Sequence, residues 1–291
     1  MPEQPKVIRK RIKSVSSTKK ITRTMEMVAG AKLSVAQKRV QSSGPYLDEL
    51  RNLMRDIGGS GLDVGRWPYF EVREGKRTAM LILTSNRGLC GGFNANLLRL
   101  GLKTYASRVA EGHDVKLLVG GRKGVAMARF EGYELDGVFI DELKDNPQPS
   151  DAAFFQKLLT RPFLENLVDE VLVVYPKWVT ATRQDPTVLR LLPIAPEERE
   201  EESQAEIPPI FEPSPDAILD QLLPLYLRQT VYSILLESVA AEQFARRMAM
   251  KLATDNANEI VTNLTREYNK ARQALITKEL AEILGGAEAL S

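Results

Sequence analysis

The chain has one cysteine and one histidine in 291 residues. A single cysteine excludes an internal disulfide and suits a reducing compartment. One Cys and one His cannot assemble a metal site of the usual kind. As a nucleophile Cys90 would need a basic partner, and His113 lies in a polar loop, where a surface position is expected. Cys90 is therefore expected to be a small buried apolar residue. No apolar run approaches the ~20 residues of a membrane span, and no signal-peptide core opens the chain. A soluble, cytoplasm-facing chain is expected. Net charge is only +2, so the molecule as a whole is no strongly basic nucleic-acid binder.

Glycine is missing altogether between Gly137 and Gly285, and most of the total falls from Gly58 to Gly137. Proline clusters from Pro193 to Pro215 in an acidic stretch that reads as an irregular linker. These shifts divide the chain into a long N-terminal segment, a glycine-bearing middle and a long C-terminal segment.

The N-terminal segment carries apolar or small residues at Ile8, Ile12, Val15, Thr22, Met25, Ala29, Leu33, Ala36, Val40, Leu47, Leu50, Met54 and Ile57. Steps of three and four, sustained over roughly seven heptads, predict a coiled-coil helix with one narrow seam. Gly44-Pro45 should bend it and Gly58-Gly59 end it. The C-terminal segment opens with Ser214 as N-cap and Pro215 at the first helical position. Its seam is read through Ile218, Leu222, Leu227, Val231, Ile234 or Leu235, Ala241, Ala245, Met248, Leu252, Ile260, Leu264, Ala271, Leu275 and Leu280, with a kink or restart at Pro224 and a stop at Gly285-Gly286. The two segments can pack on each other as an antiparallel pair, or each can fold back on the middle. Small residues along both seams permit a slender pair.

In the middle, Thr78–Thr84, Val115–Val119 and Glu170–Tyr175 read as buried strands, and Asn96–Ala110 and Pro149–Leu167 as helices. That order implies an open α/β sheet, with Thr187–Ile194 a candidate edge strand. Ser85–Asn94, SNRGLCGGFN, leaves the first strand where nucleotide folds hold phosphate. It is not a Walker loop, because Phe93-Asn94 stands where Lys-Ser/Thr is needed. It is not a dinucleotide fingerprint either, because the second strand ends in Gly120-Gly121-Arg122-Lys123 with no acid. A tight structural turn is expected. The carboxylate run Glu197–Glu202 reads as solvated, and no residue is assigned catalysis.

From Met1 to Leu47 the cations Lys6, Arg9, Lys10, Arg11, Lys13, Lys19, Lys20, Arg23, Lys32, Lys38 and Arg39 face only Glu3 and Glu26. A helix so biased could grip nucleic acid or meet an acidic protein surface. The Lys-rich mix without aromatic interleaving favours the protein.

Several segments together resemble the gamma subunit of F-type ATP synthases. They are Lys20–Leu33, Gly44-Pro45-Tyr46, Ser85–Asn94, Phe211–Pro215, Ala241–Met250, Ala253–Ala257, Tyr268–Thr277 and Gly286–Leu290. Asn86, where the family often has Asp, and Leu275, where a small residue is expected, depart from the pattern. The resemblance implies an α/β fold with long helices. An N-terminal coiled-coil helix (1–58) and a C-terminal one (215–291) would form an antiparallel coiled coil. A Rossmann-like α/β foot domain would occupy 75–195, followed by an acidic Pro-rich linker over 196–214.

It also implies a non-catalytic central-stalk rotor that couples ion translocation through the membrane c-ring to ATP synthesis or hydrolysis in a hexamer of alpha and beta subunits. Epsilon would be a further partner. The chain would bind no nucleotide cofactor, metal or nucleic acid of its own and would have no direct membrane span. It would lie peripherally on the cytoplasmic face of the plasma (inner) membrane. Arg23 and Met25 would sit near beta's acidic lever, and Arg272, Gln273 and Thr277 at beta's catch loop. The competing readings are a stand-alone nucleotide-dependent α/β enzyme with helical dimerisation arms, and a basic coiled-coil nucleic-acid binder.

Overall fold

The computed structural model describes residues 4–58, 66–180, 183–194 and 214–288. In chain order the elements are α1 (Pro5–Gly58), β1 (Arg77–Leu83), α2 (Phe93–Ala110), β2 (Asp114–Gly120), α3 (Arg122–Phe130), β3 (Gly137–Phe139), α4 (Pro149–Leu164), β4 (Glu170–Thr180), β5 (Arg183–Leu192) and α5 (Pro215–Glu288). They form two compact units: Ala31–Ala245, and the paired ends Met1–Gly30 with Arg246–Ser291.

The larger unit is built on a five-stranded sheet in the order β3-β2-β1-β4-β5. The first four strands are parallel, and β5 returns antiparallel along β4 as the expected edge strand. Successive strand side chains point to opposite faces, so a sheet covered on both sides needs apolar residues at nearly every position. β1 meets that need: six of its seven residues are buried. One face, with Met80, Ile82, Leu117, Val119, Leu172 and Val174, packs on Leu97, Leu98 and Leu102 of α2 and Val125 and Ala128 of α3.

The other face presents Ala79, Leu81, Leu83, Val171, Val173 and Tyr175. It is covered by Phe155, Leu159 and Phe163 of α4, Leu50 and Ile57 of α1, and Leu219, Leu223, Leu227, Val231 and Ile234 of α5. Within this unit the chain's ends therefore do fold back on the middle domain.

Local chemistry sets the helix ends. The Ser214 hydroxyl accepts the Ala217 N–H at 3.2 Å, as expected of an N-cap. α4 begins where the Asp151 carboxylate accepts the Gln148 N–H at 2.8 Å and stops where Asn166 turns left-handed at φ 57°. Gly112 and Gly132, both at φ 85°, follow the last turns of α2 and α3.

In the smaller unit the two terminal helices run antiparallel. Lys19 Nζ donates to Asn258 Oδ1 at 2.6 Å and Thr254 Oγ1 to Thr22 Oγ1 at 2.8 Å, while Gly30 faces the Arg247 stem. That register brings Val15 level with Val261, Ile12 with Leu264 and Ile8 with Tyr268. Ala29, Met250, Thr254 and Ala257 are buried along the contact.

α5 runs through Pro224 and α1 through Pro45 as continuous helices. Three expectations need correction. α5 continues past Gly285-Gly286 to Glu288. The α5 seam runs through Met250, Thr254, Ala257 and Val261, so Met248 (47% exposed), Leu252 (62%) and Ile260 (48%) lie outside it. His113 is half-buried, with Nδ1 2.9 Å from Thr78 Oγ1. β3 and α3 were not expected, being three and nine residues long. The linker 196–213 and Gly59 lie outside the described residues.

One half-buried carboxylate ties α5 to the edge hairpin. Glu237 accepts the Trp178 N–H at 2.7 Å and the Ser233 hydroxyl at 3.1 Å. Burial raises its pKa despite these bonds and the nearby Lys177 and Arg51 charges. A carboxyl whose folded pKa lies above its unfolded one favours folding more as pH falls through the folded value, until the unfolded value is reached. Glu237→Gln keeps an acceptor for Trp178 but cannot titrate. In urea titrations from pH about 7.5 to about 4.5, the stability of wild type relative to Glu237→Gln should rise on acidification. A flat or falling difference contradicts the assignment.

Candidate functional site

The Ser85–Asn94 turn leaves β1, whose neighbours β2 and β4 lie on opposite sides, so it occupies the switch point at which open α/β sheets bind ligands. Its polar groups are turned inward. The Ser85 N–H donates to Asn94 Oδ1 at 2.9 Å, the Ser85 hydroxyl to the Arg87 carbonyl at 2.6 Å, and Asn94 Nδ2 to Cys90 Sγ at 3.3 Å. Cys90 is buried, with hydroxyl and amide neighbours and no histidine. The turn also uses left-handed backbone at Leu89 (φ 63°) and Gly91 (φ 58°).

The crevice beside the turn is filled by the chain itself. Asn86 donates through Nδ2 to the carbonyls of Ile140 (2.9 Å) and Leu143 (3.0 Å), and its Oδ1 accepts the Arg122 N–H at 3.0 Å. Those three partners fix the orientation of the amide; an Asp could serve only the last. Thr84 Oγ1 reaches the Gly120 carbonyl at 2.6 Å and accepts from the Gly124 N–H at 3.0 Å. Gly121 sits at φ 94°, and a Cβ there would lie 2.4 Å from the Thr84 carbonyl oxygen. What remains between this turn, the Glu142–Pro147 segment and α5 is a cavity of ≈ 30 Å³. That volume has room for about a water molecule or two and not for a nucleotide.

The five residues expected to contact a partner all lie in the smaller unit and do not form one site. Arg23 is exposed on α1, while Met25, two residues on, is half-buried toward the seam. Arg272, Gln273 and Thr277 are exposed on α5, the Thr277 hydroxyl bonded to the Gln273 carbonyl at 3.0 Å. The register places Arg272 level with the start of α1, so the two groups are separated by roughly 30 Å along the pair at 1.5 Å per residue. From Arg272 onward every described side chain of α5 is exposed, including Leu275, Ile276, Leu280, Ile283 and Leu284.

Sequence reasoning missed how much of the basic N-terminal run is spent within the chain. Lys32 pairs with Asp145 at 2.8 Å. Arg39 bonds Asn146, the Pro147 carbonyl at 2.8 Å and the Tyr232 hydroxyl at 3.0 Å. The signal lay in Asp145-Asn146-Pro147-Gln148, a polar turn leading into Pro149, but nothing in it names a partner about a hundred positions away. Among the described residues no group of His, Cys, Asp and Glu could hold a metal, and no helix is long and apolar enough to cross a membrane.

An α/β domain whose switch point is closed by its own side chains, joined to paired terminal helices with an uncovered apolar end, belongs to the class of assembly subunits rather than nucleotide enzymes. A family model described as ATP synthase matches residues 4–290. The chain is 40% identical over 287 residues to an ATP synthase gamma chain of Alkaliphilus metalliredigens, covering 97% of both. It is 43% identical to that of Gemmatimonas aurantiaca, covering 98% of both. Among solved structures it resembles a chain of the Euglena gracilis mitochondrial ATP synthase (OSCP/F1/c-ring), with TM-score 0.69, 18% identity and coverage of 98% and 94%. It also resembles one of the Tetrahymena thermophila mitochondrial ATP synthase central stalk and c-ring, with TM-score 0.58, 21% identity and coverage of 80% and 99%. The chain belongs to the ATP synthase gamma chain family. It is a rotor subunit, and catalysis resides in other subunits of that complex.

The Asn86 network yields a local test. Asn86→Ala strands two carbonyls and one N–H in a part-buried site and should cost about 1–3 kcal/mol in denaturant unfolding. A loss below about 0.5 kcal/mol would show that the turn does not hold the Ile140–Gln148 segment.

Proposed function

We propose that this gamma chain works as the central-stalk rotor, coupling ion flow through a membrane c-ring to the nucleotide cycle of an alpha-beta hexamer, with epsilon as a further partner. The observation that carries this reading is the end of α5. From Arg272 to Glu288 it extends beyond the level at which α1 begins, with five large apolar side chains in the open. A lone helix of that length is marginal in water, and its exposed apolar residues need an enclosing surface.

The apolar residues outside the seam extend the argument. Ile21, Met27 and Val28 on α1, and Met248, Leu252 and Ile260 on α5, are exposed in the same unit. A shaft with unlike sides offers identical neighbours different contacts. A conformational equilibrium moves only by the difference in contact free energy between its two states. Swinging a site from 1:99 to 99:1 takes about 5.5 kcal/mol. One charge crossing about 100 mV supplies about 2.3 kcal/mol, so several charges per catalytic step suffice.

In this reading Arg23 and Met25 lie near beta's acidic lever, with the exposed Lys20 beside them, and Arg272, Gln273 and Thr277 engage beta's catch loop. These are torque-transmitting contacts. The subunit is held peripherally on the cytoplasmic face of the plasma (inner) membrane through its partners.

Two measurements test the proposal. In hydrogen exchange, amides of 272–288 should exchange within seconds in the isolated chain and become protected by at least about tenfold on assembly with alpha and beta. Equal exchange in both states overturns the enclosure. In the reconstituted complex, Arg23→Glu and Arg272→Glu should each lower ATP turnover several-fold while leaving unfolding of the isolated chain within about 0.5 kcal/mol. Unchanged turnover in both variants removes the assigned contacts.

A further inference from the structure

The larger unit holds a second, much bigger cavity, of ≈ 780 Å³, far from the closed switch point in character and lying within that unit alone. Three elements wall it: α1 between Val40 and Arg55, α5 between Tyr226 and Glu237, and the β4–β5 hairpin at Tyr175–Trp178 and Leu189–Leu191. Its size falls in the range of small-molecule pockets, and about half of its wall is aliphatic or aromatic, the rest polar or charged.

The charges are unevenly placed. Arg51, Arg55, Lys177 and Arg190 border the cavity, against Asp48 and Glu237. Asp48 is tied to Arg51 at 3.2 Å in an exposed pair that water or a ligand can displace. Glu237 is committed elsewhere, both oxygens being engaged by the Trp178 N–H and the Ser233 hydroxyl. Arg51 stands on the α1 wall and Lys177 on the hairpin wall, and both act electrostatically on Glu237. Thr230 also lines the cavity, and its hydroxyl is buried without a hydrogen-bond partner.

We propose that this cavity binds a single amphipathic anion, a carboxylate or phosphate head on an apolar chain, with Arg51 and Lys177 holding the head and the half-buried Val40, Leu189 and Tyr226 receiving the chain. A polyanion is disfavoured by Asp48 and Glu237 in the same wall. A cation is disfavoured by the excess of Arg and Lys. A wholly polar ligand would leave the aliphatic wall without a partner. Guanidinium and ammonium together suit either head, since one offers a planar fork and the other a mobile point charge.

The test uses the full chain and calorimetric titration below the micellar range. Decanoate and dihexanoyl phosphatidic acid are the two anionic probes, and decylammonium and decanol the controls. At least one anion should bind saturably at one site, and whichever binds tighter identifies the source as a free acid or a phospholipid. The neutral and cationic controls should bind at least about tenfold more weakly. Arg51→Ala with Lys177→Ala should weaken the anion by about tenfold or more. Glu237→Gln, which removes a half-buried carboxylate from the wall, should tighten it several-fold, a gain that misfolding cannot imitate. Should the double variant lose its circular-dichroism signal, Arg51→Gln and Lys177→Gln taken singly give the same readout. The proposal is overturned by no saturable binding of either anion, by equal affinity for decylammonium, by an unchanged double variant, or by binding of polyglutamate with neither amphiphile bound.

Discussion

A parallel sheet has to be covered on both faces, and in this chain the middle segment supplies full cover for only one. α2 and α3 close the first face from within the α/β unit. The second face receives α4, and then needs Leu50 and Ile57 from one end of the sequence and Leu219, Leu223, Leu227, Val231 and Ile234 from the other. Each such side chain contributes about 1.5–3 kcal/mol when fully removed from water. The constraint therefore reaches across the whole sequence: the sheet is complete only when both chain ends return to it. Two helices of 54 and 74 residues follow from that return, because each end is already helical where it seals the sheet.

Polar groups then fix what apolar cover leaves loose. The Ile140–Gln148 segment is grasped from both sides, by Asn86 of the β1 turn and by Lys32 and Arg39 of α1. Arg39 also reaches Tyr232 of α5, so one guanidinium joins three parts of the unit. At the opposite end of the strands, Asp169 is 5% exposed and accepts two bonds from the Arg77 side chain and one from its N–H. The Arg77 hydrogen bonds hold its carboxyl below the usual range. A Cβ on Gly75 would collide with that carboxylate, which is why the approach to β1 is glycine there. The switch-point crevice is closed by the first of these two networks. An α/β topology with a glycine-rich first turn thus exists here without its usual ligand site.

The sequence carried the α1 seam in full: each of the thirteen positions from Ile8 to Ile57 is buried or half-buried. The strands β1 and β4 were equally legible, because burial on both faces leaves a continuous apolar run, and β2 was legible from its apolar residues around Lys116. β3 was not, since three residues carry no periodicity, and its side chains are only half-buried. α3 begins Arg-Lys-Gly and lasts nine residues, too short for a seam to repeat. The contacts of Arg39 and Asn86 were out of reach for a different reason. A polar residue announces that it needs a partner and not which one, and here the partners lie 36 to 193 positions away.

The α5 seam failed differently, and the failure is informative. Up to Ala241 apolarity marks the buried face, because the helix serves one neighbour, the sheet unit. Beyond Arg246 it carries two stripes. Met250, Thr254, Ala257 and Val261 face α1, while Met248, Leu252 and Ile260 face outward. Hydropathy alone favoured the second stripe, since Leu, Ile and Met outrank Thr and Ala. Close helix packing favours the first, since small side chains let backbones approach. A helix with one partner would have spent its large apolar residues on the seam and left the outside charged. Between Met248 and Ile260, large residues outside with Thr254 and Ala257 inside is the pattern of a helix gripped from both directions, thin toward its mate and adhesive toward whatever surrounds it. The misread phase and the exposed end of α5 are thus one fact, the mark of a surface completed by another chain.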